Sequence, residues 1–161
     1  MSPPVKPTTF TLDNGLRVVL APTRCKGQVR VQMVYAFGSN AERDDSERGL
    51  AHVVEHMVFK GTVGSVHGGQ LAGKADIARS MGDLALSEQD ITAVARLFGA
   101  KYNAFTTTNM TSYYFQVAPQ FMRPFLEVLS TSMRSTGLKE QHLRSEKLAV
   151  LEEVSGARAQ P

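Results

Sequence analysis

Cysteine is almost missing from this sequence. Cys25 is the only one in 161 residues, which excludes an internal disulfide and a thiolate-rich structural metal site, and Cys25 itself reads as incidental in a loop. No run of Lys and Arg occurs. The formal net charge of +3 is a mild basic balance that offers no nucleic-acid face and suits acidic and neutral peptides equally. No apolar stretch is long enough to span a bilayer, and residues 1–7 hold three prolines without an apolar run, so no signal peptide or membrane anchor is visible there. On that ground a soluble, cytoplasmic protein is slightly favoured. Repeats and low-complexity segments are absent. The glycine-rich stretch Gly61–Gly73 reads as a mobile loop with an exposed His67; it is no phosphate cradle, because no G-x-x-x-x-G-K-S/T follows a strand.

What is present is an ordinary globular composition, 42% hydrophobic and 20% charged, in a chain long enough for one core. Residues 1–7 read as a flexible lead-in, 8–156 as one domain and 157–161 as a tail. The most informative stretch is Gly49–Phe59. At 100° per residue Leu50, Val53, Val54, Met57 and Val58 form an apolar stripe, and His52, Glu55 and His56 fall on the other side. His52 and His56 are one turn apart, so both rings can reach one metal ion, with Glu55 beside them to work on a water. The order H-x-x-E-H is the reverse of H-E-x-x-H and is the inverzincin motif.

A catalytic zinc ion needs a third protein ligand and leaves its fourth position to water. The segment His142–Val154 offers carboxylates. Leu143, Val150 and Val154 define a buried line with Ala149 beside it, and Glu146 and Glu153 project nearly on top of one another next to that line. Glu152 points about 120° away, toward solvent. Carboxylates against an apolar face are costly unless a cation compensates them. Glu153 is therefore the expected third ligand, and Glu146 an auxiliary carboxylate that orients or tunes the site.

The remaining elements follow local signals. Thr8–Leu12, Asp13-Asn14-Gly15 and Leu16–Leu20 read as a hairpin around a tight turn. Val29–Tyr35 reads as a strand, Ala75–Leu86 and Glu88–Phe98 as helices with Ser87 as a cap for the second, Lys101–Phe105 and Thr111–Ala118 as strands, and Pro119–Met133 as a helix ended by Gly137. This order predicts an α+β fold: a mixed, mainly antiparallel sheet with helices packed on one face.

His52-x-x-Glu55-His56 followed by Glu146-x6-Glu153 resembles the M16 metallopeptidases, the group of pitrilysin, insulin-degrading enzyme and mitochondrial processing peptidase. Leu12–Val18 resembles that family's opening hairpin, Gly49–His52 and Met57–Thr62 its flanks of the motif, and Asn103-Ala104-Phe105-Thr106 its substrate-pairing strand. The resemblance covers about Phe10 to Val154. It implies one Zn2+ per chain on His52, His56 and Glu153, and a peptide or polypeptide substrate laid along Asn103, Ala104 and Phe105. Glu55 would act as general base toward the attacking water and then as proton donor to the leaving amine. It further implies a second M16-like domain or subunit, carrying Arg and Tyr residues that grip substrate. Thr62–Leu97 is longer than the family pattern, and the chain stops just after Glu153. It corresponds to the catalytic front end, as a natural short form, one piece of a split enzyme or a truncated one. Three functions compete: a zinc endopeptidase that works with a second chain, a zinc-binding but inactive structural or peptide-binding subunit, and a zinc hydrolase of a non-peptide substrate. Chelator-sensitive protease activity separates the first from the others.

Overall fold

The computed structural model of the chain describes residues 6–24, 27–65 and 85–158. Strands β1 (Thr8–Thr11) and β2 (Arg17–Leu20) form the expected antiparallel hairpin, with Thr8 opposite Leu20. Gly15 turns it at a φ of +85°, a left-handed value that favours glycine, and the Asn14 side chain accepts the Leu16 amide at 3.1 Å.

The central sheet has the order β3-β7-β6, from β3 (Val29–Tyr35), β7 (Thr111–Val117) and β6 (Lys101–Thr106). A further pair joins β4 (Gly61–Ser65) to β5 (Ala85–Ser87), and every described pairing is antiparallel. The helices are α1 (Leu50–Met57), α2 (Glu88–Leu97), α3 (Met122–Arg134) and α4 (Glu140–Arg158). Period-two alternation puts Val31 and Met33, Tyr113 and Phe115, and Tyr102 and Ala104 on one face of the sheet. That face packs against Val58 after α1, Val94, Ala95 and Phe98 around α2, and Phe125 and Leu129 of α3. The other face is polar: the Arg30 guanidinium lies 3.8 Å from the Tyr114 ring centre, and Gln32 donates to Ser112 at 2.7 Å. The expected α+β layering, helices on one face of an antiparallel sheet, is what the chain adopts.

Four local expectations change. Residues 61–65 are a strand rather than a loop, and Ala85–Ser87 is a strand rather than the end of a helix. Each finds its hydrogen-bond partner in the other, a remote pairing that local glycine content and helical periodicity do not report. The apolar stripe of α1 is split. Val53 and Met57 meet Val150 of α4 and Val58 joins the sheet core, while Leu50 and Val54 are exposed. A one-face stripe presumes one partner, and α1 has two, α4 and the sheet. The buried line of α4 is likewise narrower than expected: Val150 is buried, Leu143 and Val154 are not. Cys25, His67 and the expected helix up to residue 84 lie outside the described residues.

Candidate metal centre

The motif helix starts at Gly49, whose φ of +84° suits a residue without a side chain. Its first amides find a partner upstream: the Glu42 carboxylate accepts from Gly49 and Ala51, both at 3.0 Å. One turn separates His52 and His56, whose rings stand 4.8 Å apart and nearly perpendicular, at 85°. Across from them runs α4. His56 faces Glu146 and His52 faces Glu153, so the two helices are antiparallel.

Glu153 reaches both rings. Its carboxylate oxygens lie 3.3 Å from His52 Nε2 and 3.8 Å from His56 Nε2, and one donor atom from each of the three residues falls within 4.8 Å of the others. Tetrahedral zinc with bonds of about 2.0–2.1 Å separates its ligand atoms by about 3.4 Å, so the donor set fits such an ion in both type and spacing. Among the described residues this is the one cluster of at least three such donors; His142 is not part of it. Glu153 is half exposed, which leaves the cluster open on one side.

Glu146 sits behind His56. Its carboxylate is 2.9 Å from His56 Nδ1 on one oxygen and 2.9 Å from Lys60 Nζ on the other, and the residue is 8% exposed. Burial pushes its carboxyl up, but the hydrogen bond from Lys60 and then that from His56 outweigh it, and the group is held below the usual glutamate range. A neutral His56 that donates Nδ1–H to Glu146 presents the Nε2 lone pair on the side of Glu153. A carboxylate behind a histidine in this way fixes both tautomer and ring orientation.

Glu55 is buried and stands outside the three-residue cluster. Its carboxylate accepts the Thr106 hydroxyl at 2.5 Å, which ties mid-helix α1 to the end of β6. Burial and then the Glu55 charge push the Tyr113 phenol well above its ordinary value, with Tyr35 adding to it. Asn103, Ala104 and Phe105 lie on β6, which is the edge of its sheet among the described residues. Asn103 and Phe105 are exposed and Ala104 turns toward the core. Glu152 is exposed, as its projection predicts. The expected residues thus fall into three places: the donor cluster with Glu146 behind it, Glu55 beside β6, and the β6 edge. Sequence reasoning did not single out Glu42, Lys60 or Thr106. Lys60 and Thr106 stand inside Met57–Thr62 and Asn103–Thr106, which flank the motif and form the β6 edge, but nothing in their spacing gives their partners. Glu42 has no sequence signal, because its target is reached through a loop.

An antiparallel sheet backed by helices, two of which bring imidazoles and carboxylates together, defines an α+β domain with a metal-type donor set. The chain belongs to peptidase family M16: the family model Insulinase (Peptidase family M16) matches residues 17–76 and 79–161. It is 29% identical over 149 residues to the zinc protease PqqE of Helicobacter pylori, covering 92% of this chain and 29% of that protein. It is 29% identical over 150 residues to a probable mitochondrial-processing peptidase subunit beta of Arabidopsis thaliana, covering 93% of this chain and 24% of that one. Its structure superposes on the crystal structure of a protease from Helicobacter pylori with a TM-score of 0.72 at 28% identity, covering 92% of this chain and 30% of that one. Pitrilysin shares the fold, with a TM-score of 0.70 at 21% identity over 95% of this chain and 14% of that one. The chain therefore spans less than a third of the length of these relatives. Among the described residues no helix is long and apolar enough to cross a membrane.

Proposed function

We propose that this chain is the metal-binding and proton-transferring part of a zinc-dependent endopeptidase. His52, His56 and Glu153 hold one Zn2+, Glu55 is the general base, and a second M16-like domain or subunit completes the enzyme. The observation that carries this reading is the convergence of those three donors, with Glu146 locked behind His56. Zinc bound there would supply an acidified water and polarise the scissile carbonyl.

The chain's own residues do the rest. Glu146, itself neutralised by Lys60, keeps His56 in the tautomer that presents Nε2. Glu55 takes the proton of the attacking water and returns it to the departing amine. The Thr106 hydroxyl occupies one oxygen of Glu55, which aims the other. Thr106 closes the strand whose edge carries Asn103, Ala104 and Phe105. An extended peptide adding to that edge through main-chain hydrogen bonds would lie next to the base. The names of two relatives, a zinc protease and a subunit beta of a processing peptidase, support the chemistry and a partner subunit.

The test is cleavage of an unstructured fluorogenic peptide with and without chelator, by the chain paired with a second M16-like domain and by the same pair carrying Glu55→Gln. Cleavage that stops on chelation and in the variant supports the reading. Cleavage that persists in both contradicts it.

A further inference from the structure

We infer that Glu42 is a positioning residue for the metal-binding helix, mounted on a strap, residues 37–42, that ties α1 to the β6–β7 turn. This rests on the metal reading above. Both oxygens of the Glu42 carboxylate are committed to α1, one to the Gly49 amide and one to the Ala51 amide. These are donors that a helix leaves without an internal partner. Ala51 immediately precedes His52, so the carboxylate fixes the backbone that carries the first imidazole.

The strap is fixed at its other end. The amides of Ser39 and Asn40 donate to the carbonyls of Thr107 and Thr108 at 3.1 and 2.8 Å, and the Asn40 side chain donates to Asn109 at 3.0 Å. Thr111 Oγ1 donates to the Phe37 carbonyl at 2.9 Å. Gly38 is buried against the same turn, and a Cβ added there would stand 2.2 Å from the Thr107 carbonyl oxygen. Thr106, at the start of this turn, holds Glu55. One turn thus anchors α1 twice, at its N-terminus through Glu42 and in its middle through Glu55. Together the two ties set the position of the imidazoles relative to the β6 edge. Only a two-oxygen acceptor of this length satisfies the N-terminal tie. Aspartate is one methylene shorter, and glutamine turns an NH2 toward one of the two amides.

The experiment uses the full 161-residue chain with Zn2+ and Co2+ as probes. Zinc affinity is read by competition with a chromophoric chelator, and site geometry by the visible spectrum of the cobalt form, both far below the melting temperature. Glu42→Gln and Gly38→Ala should each raise the zinc Kd on the order of tenfold and alter the cobalt spectrum, as loss of a supporting contact behind a ligand does. The double variant should be no worse than the weaker single, because both changes release one strap. Glu42→Asp carries the same expectation if Glu42→Gln does not fold. Asp45→Asn, on the neighbouring turn with its side chain 94% exposed, should leave both readouts unchanged. A merely structural Glu42 would lower the melting temperature and leave affinity and spectrum at their parent values, and that result overturns the inference. Failure of the parent chain to bind either ion overturns the metal reading, and the positioning role with it.

Discussion

At the residue scale the site depends on His56 using both ring nitrogens, Nδ1 toward Glu146 and Nε2 toward Glu153. The role of each neighbour can be separated by substitution. Glu55→Gln keeps the shape and removes the base. It should bind as much zinc as the parent, by mass spectrometry, while peptide hydrolysis falls by about 10²–10⁴-fold. Lys60→Met leaves Glu146 buried beside His56 without its cation. A loss of about 1–3 kcal/mol in a urea melt is expected, typical of a buried charged acceptor deprived of its donor. The Glu146 carboxyl also sets a pH dependence. Its folded value lies below the ordinary one, because the bonds from Lys60 and His56 outweigh the burial that raises it. The stability it gives the metal-free chain is fully present above the ordinary glutamate range and is lost as pH falls through the lowered folded value. An acid titration followed by circular dichroism should show that loss in the parent and a smaller one in Glu146→Gln. The residues of this site that could be read from sequence are those at helical spacing. His52 and His56 share a face one turn apart, and Glu146 and Glu153 are superposed over two turns. Lys60, Glu42 and Thr106 act across loops and strands, where no periodicity marks them.

At the element scale the centre is a contract between two antiparallel helices. Val53 and Met57 of α1 close on Val150 of α4, and this small cluster sets the spacing at which Glu153 meets the histidines. Val150→Ala should cost about 1–3 kcal/mol in a thermal melt. It should also weaken zinc binding, although no ligand is touched; a destabilised variant with parent zinc affinity would show that the helices are spaced by something else. Strands β3 and β7 were readable within a residue because alternation along them follows real burial on one face. The hairpin was readable because Asn14-Gly15 dictates its turn. The exposure of Leu50 and Val54 was not, since two partners share α1, and the β4–β5 pair was not, since its halves are far apart in sequence.

At the scale of the whole molecule, apolar side chains stand exposed on several elements. Val19 and Leu20 of β2 are 57% and 53% exposed, and Leu148 and Leu151 of α4 are 65% and 61%. An isolated two-stranded hairpin is marginal in water, and its exposed apolar side chains favour association. By itself the chain should therefore self-associate as concentration rises in light scattering. Val19→Lys together with Leu148→Lys should reduce that association without changing zinc content, since neither residue belongs to the donor cluster.

The three-ligand site stands or falls on metal stoichiometry. Mass spectrometry of the zinc-reconstituted chain beside Glu153→Gln should give close to one zinc per parent chain and a clear fall in the variant. No uptake by the parent, or equal uptake by both, would contradict the assignment of His52, His56 and Glu153 as the ligands.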